Sequence, residues 1–91
     1  MKDRRRIVDE IEALIEPKDS WIKAAFYSDP KVTQIMEKLY QRWEEKGREG
    51  YPVDYATDDE LRELYRAAKH YSKMPVWRAK ALVEKRMEER G

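Results

Sequence analysis

The sequence predicts an all-α fold: a compact single-domain bundle, residues 1–91, of four main helices plus one short helix. Three observations predict it. Apolar residues recur at three- and four-residue spacing through most of the chain. No stretch sustains the period-two alternation of a half-buried strand. Capping residues, prolines and a glycine fall between the periodic stretches, where helices should start and stop. Length agrees, since 91 residues make one domain.

The first helix is expected over about residues 3–16, with Ile7, Val8, Ile11, Leu14 and Ile15 on one face. Pro17 stops it, because proline disfavours helical backbone in the residue before it. Asp19 or Ser20 can cap a short helix over 20–27, where Trp21, Ile22, Ala25 and Phe26 share a face. Asp29-Pro30 opens the third, over 30–46: the aspartate accepts from free N–H groups, and proline suits a first turn. Its stripe is Val32, Ile35, Met36, Leu39, Tyr40 and Trp43, and Gly47 is its C-terminal cap. A loop with Gly50, Pro52 and the aromatics Tyr51 and Tyr55 follows, expected mainly to fold back over the bundle. Thr57-Asp58-Asp59-Glu60 is a capping box for a fourth helix over 58–71, which packs Leu61, Leu64, Tyr65, Ala68 and Tyr71. Pro75 opens the fifth, over 75–90, with a stripe of Val76, Ala79, Leu82, Val83 and Met87.

Composition narrows the function classes. The formal net charge is +1, although 43% of residues are charged. No apolar run is long enough to span a membrane, and no apolar stretch after the Met-Lys start suggests a signal peptide. A cytoplasmic protein without a membrane partner is therefore expected. Cysteine is absent, which excludes disulfides, thiol catalysis and cysteine-held zinc. Asparagine is also absent, and Lys, Glu and Arg dominate. That is the pattern of heat-adapted proteins, so a thermostable chain is expected; designed helical surfaces share the enrichment.

Residues for chemistry are scarce. His70 is the sole histidine, and Ser72, two positions on, lies on a different helix face. No nucleophile elbow, phosphate loop or zinc-protease motif is present. Asp54, Asp58, Asp59, Glu60 and Glu63 form an acidic cluster, but helix capping already accounts for three of them, and the spacing matches no calcium loop. We expect no enzyme, metal, cofactor or small-molecule substrate.

The charge is uneven along the chain. Residues 1–36 are neutral, residues 37–63 carry −4, and residues 64–91 carry +5. No acid stands between Glu63 and Glu84. Arg62, Arg66, Lys69 and Lys73 fall at i, i+4, i+7 and i+11, making one basic ridge opposite the Leu61/Leu64/Ala68 face. Like charges at that spacing cost a few tenths of a kcal/mol each. The ridge is either an ordinary solvated face or a seat for a polyanion. Trp77 lies about 130° from the centre of the fifth helix's stripe. Packing against a neighbouring helix is the commoner fate of a tryptophan. Exposed beside Lys73 and Arg78, it would offer bases a stacking surface.

Two further features bear on partners. The fourth and fifth helices are a weak helix-turn-helix candidate, with Arg78, Lys85 or Arg86 facing bases. The Arg4–Arg6 triplet opposes the first helix's dipole, so it reads as a frayed solubilising end or a phosphate-contacting arm. The expected function is a non-enzymatic module that binds nucleic acid through Arg62, Arg66, Lys69, Lys73, Trp77 and Arg78. The alternative is a protein-interaction or regulatory adaptor that could self-associate, its acidic middle facing the basic end of a second copy.

Overall fold

A computed structural model describes residues 4–90. Five α-helices follow one another: α1 (Arg4–Ile15), α2 (Ser20–Tyr27), α3 (Pro30–Glu45), α4 (Asp58–Ser72) and α5 (Val76–Arg90). No strand occurs among the described residues. The expected start of the first helix at Asp3 lies outside them.

The caps form as the sequence prescribes. Asp19 accepts from the Trp21 N–H at 2.8 Å, and Asp29 Oδ1 accepts from Lys31 and Val32 N–H at 2.8 and 3.2 Å. Thr57 and Glu60 cap each other's backbone at 3.1 and 2.9 Å. The loop before α4 holds one element the periodicity missed, a single 3-10 turn over Pro52–Tyr55. Its backbone is closed by Asp54, which accepts from the Tyr51 N–H at 2.9 Å. The loop also folds back on itself and on α3: Tyr55 Oη donates to the Glu49 carbonyl at 2.6 Å, and Trp43 Nε1 to that of Gly50 at 3.0 Å. Gly50 has φ +70° and sits so near Asp54 that an added Cβ would lie 2.8 Å from its Oδ2. The left-handed backbone favours glycine there, and a side chain would in addition displace the Asp54 carboxylate from its place against the turn.

α1 packs chiefly on α4, and α2 chiefly on α5, while α3 lies against the 3-10 turn and α4. Ile15, Phe26, Val32, Leu39, Leu61 and Leu64 are fully buried at the centre. Three stripe residues depart from expectation: Tyr40, Val76 and Met87 are 54%, 43% and 63% exposed. Helix lengths explain Met87. Eight residues of α2 span about 12 Å and fifteen of α5 about 22 Å, so the outer turns of α5 run past their partner.

Arginines then tie the ends together. Arg4 reaches Asp58 at 2.9 Å and the Ala56 carbonyl, so the start of α1 is clamped to the start of α4, not frayed. Arg42 grips Glu60 with both terminal nitrogens, at 2.6 and 2.9 Å, and also donates to the Tyr55 carbonyl. That fork holds the Glu60 carboxyl well below its ordinary value, at about 2; burial opposes it, and the Thr57 N–H adds to it.

Candidate nucleic-acid interface

α4 ends where α5 begins, and the two helix ends frame an open groove of about 440 Å³. Arg66, Lys69, His70 and Lys73 line it from the end of α4, Met74 and Pro75 from the turn, and Arg78 from the first turn of α5. No carboxylate lines it. The helix dipole assists, because the last turn of α4 is the negative end of that helix and favours cations. The first turn of α5 carries no acid.

The groove therefore unites four of the six residues the sequence singled out. Among the described residues, Lys69, Lys73 and Arg78 form no ion pair, and Lys69 Nζ lies 5.2 Å from the centre of the Tyr65 ring. Arg66 is shared, since it also pairs with Glu63 at 2.9 Å. Arg62 stands outside the groove and pairs with Asp59 at 3.0 Å, while Asp58, one turn before it, pairs with Arg4. The ridge is thus half neutralised at its acidic end and unopposed at the other.

Trp77 resolves the choice left open by its position. It is 74% exposed, so the packing alternative fails. α5 packs chiefly on α2, where Ala79 and Val83 are buried, and position 77 lies away from that face. The exposed ring stands two positions after Pro75, with Arg78 next in sequence.

The helix-turn-helix reading finds less support. In such a motif the two helices pack on each other, whereas α4 has its main partner in α1 and α5 in α2. Arg86, one of the residues expected to face bases, is turned inward. Its guanidinium donates to the Ala25 carbonyl at 2.7 Å, Ser28 Oγ at 2.8 Å and Tyr71 Oη at 2.7 Å. Tyr71 in turn donates to Asp29 Oδ2 at 2.6 Å. Burial pushes the Asp29 carboxyl up, but the Tyr71 and backbone hydrogen bonds outweigh it, with Arg86 adding, and the net value is lowered. Burial and the Asp29 bond raise Tyr71. This chain of Asp29, Tyr71 and Arg86 sets α5 against the end of α2 and the start of α3, and so fixes one wall of the groove. Sequence spacing does not reveal it, since Asp29 reads as a cap, Tyr71 as core and Arg86 as surface.

The residues considered for chemistry are otherwise engaged. His70 stacks edge-on against Tyr71 at 4.9 Å, and Ser72 Oγ donates to the Lys69 carbonyl at 3.0 Å. Asp54, Asp58, Asp59, Glu60 and Glu63 each bond a backbone N–H or an arginine. No group of three His, Asp or Glu placed to hold a metal ion occurs among the described residues. No described helix is long and apolar enough to cross a membrane. Comparison of the chain with family models, with curated proteins and with solved structures finds no match.

Proposed function

We propose that the protein is a non-enzymatic binding module that holds nucleic acid along the groove between α4 and α5. One observation carries this reading: Arg66, Lys69, Lys73 and Arg78 converge on a single open groove with no carboxylate in its lining. Lysine and arginine recognise phosphates mainly by charge, so contacts are to the backbone and affinity falls with salt. Trp77, exposed next to Arg78, supplies a flat face for an unpaired base, and this favours single-stranded or frayed ends over continuous duplex. The groove does not depend on inserting α5 into a major groove. The composition supports a thermostable protein, and we place it in the cytoplasm.

The head-to-tail adaptor is the second reading. It requires the acidic middle of one copy to be free for the basic end of another. Much of that acidity is spent internally, on Arg4, Arg42, Arg48, Arg62 and Arg66. That expenditure favours the nucleic-acid reading. Fluorescence anisotropy with labelled single-stranded and duplex DNA at low salt tests it. Saturable binding that disappears in Lys69→Glu/Lys73→Glu, with helical content kept, is the expected result. Absence of binding at low salt overturns the proposal, and binding indifferent to that double change moves the site elsewhere.

A further inference from the structure

A second surface stands apart from the basic groove. α1 and α3 have no substantial contact with each other, and the space between them is an open trough of about 440 Å³. Its walls are Val8 and Ile11 from α1, Met36 from α3 and Val53 from the 3-10 turn, above the buried rings and branches of Phe26 and Leu64. Past Tyr27 and Met36 it continues into a shelf that reaches Tyr40. Tyr27, Tyr40 and Tyr51, the three exposed tyrosines of the chain, are 49%, 54% and 65% accessible and all stand on this trough or shelf. Exposed aromatics concentrated on one apolar recess are the composition of a binding surface.

The rim is acidic. Glu12 and Glu37 line the trough and shelf, against one base, Arg5. Glu16, one turn beyond Glu12, bonds the Tyr27 hydroxyl. Burial raises that hydroxyl above its ordinary value, and the charges of Glu16 and Glu12 raise it further. We infer that the α1/α3 trough docks a basic amphipathic helix of a partner protein, its apolar stripe on Val8, Ile11, Met36 and Val53 and its lysines or arginines against Glu12, Glu16 and Glu37.

The other occupants fit worse. Phosphates are repelled by the rim. A peptide added as a β-strand needs a strand edge, and the walls here are helices and a 3-10 turn whose own backbone bonds are made; a helix arrives with its backbone already satisfied. A second copy placed trough to trough sets acid against acid. α5 of a second copy is basic, but its exposed apolar residues, Val76, Trp77 and Met87, stand at its two ends about 15 Å apart, so they form no continuous stripe. The inference does not rest on nucleic-acid binding at the other groove.

Two synthetic probes test it: a leucine–lysine amphipathic helix of about five turns and the same peptide with glutamate for lysine. Amide NMR signals of the full chain report the site. The expected result is saturable binding of the lysine peptide, about tenfold or more tighter than the glutamate peptide, with shifts confined to Val8, Ile11, Met36, Val53 and their neighbours. Met36→Glu should weaken binding about tenfold. Glu12→Lys/Glu37→Lys, at exposed positions where folding is not at stake, should reverse the preference between the two peptides. No saturable binding, equal binding of both peptides, or shifts elsewhere overturns the inference. So does self-association of the free protein that Met36→Glu abolishes, because it would give the trough to a second copy.

Discussion

Replacing Glu60 with glutamine keeps the side chain's shape and removes its charge. In the folded protein the Arg42 fork and the Thr57 N–H hold Glu60 at about 2, against an ordinary value of 4.5. The folded value lies below the unfolded one, so the unfolded chain takes up the proton first. The contribution is therefore complete above about pH 4.5 and is lost as pH falls towards 2. At 1.36 kcal/mol per pH unit the gap corresponds to at most about 3 kcal/mol. The Arg42 side chain is 35% accessible, and solvent screening lowers the figure to about 1.5 kcal/mol. Glu60→Gln should thus destabilise by about 1–2 kcal/mol at pH 7, or roughly 5–15 °C in Tm for a domain of this size. Urea unfolding followed by circular dichroism from pH 7 to 2.5 gives the difference between wild type and variant, in which the other carboxylates cancel. That difference should shrink steadily below pH 4.5. A difference that stays constant with pH, or is absent at pH 7, refutes the electrostatic origin of this clamp.

Arg86→Met keeps much of the stem and removes donors from the Ala25 carbonyl, Ser28 Oγ and Tyr71 Oη. A loss of about 2–3 kcal/mol is expected, read as a thermal shift, and a shift under about 2 °C would show that the network contributes little. Trp77→Ala should leave stability within about 0.5 kcal/mol, because the ring is exposed. The same change should weaken single-stranded DNA binding about 5- to 100-fold with a smaller effect on duplex, measured by anisotropy. Equal losses on both would remove the stacking role.

The helices were legible because period and punctuation agreed. Asp19, Asp29 and the Thr57/Glu60 pair each cap where the spacing put them. The basic groove was legible as a ridge, since residues at i+4 and i+7 must share a face, but its limits were not. Whether Arg62 and Arg66 are neutralised depends on which acid each selects, and Arg4, 54 positions away in sequence, pairs with one of those acids, Asp58. Trp77 could not be placed because its exposure depends on what covers α5, and the main cover is α2. Arg86 and the trough beside Met36 share that cause: both are set by contacts between distant elements, to which local spacing is blind. The 3-10 turn was missed because one short turn carries no apolar period.

The salt dependence of single-stranded DNA affinity tests the central claim most directly, because it counts the phosphates that the proposed groove would neutralise. With Lys69, Lys73 and Arg78 engaged, and Arg66 shared with Glu63, about three to four contacts are expected. At about −0.7 per contact for single strands, the slope of log affinity against log salt should lie near −2 to −3. Affinity would then fall roughly 20- to 60-fold between 50 and 200 mM salt. Lys69→Glu/Lys73→Glu should abolish the binding. A slope near zero, or the wild-type slope retained in the double variant, contradicts a phosphate-binding groove between α4 and α5.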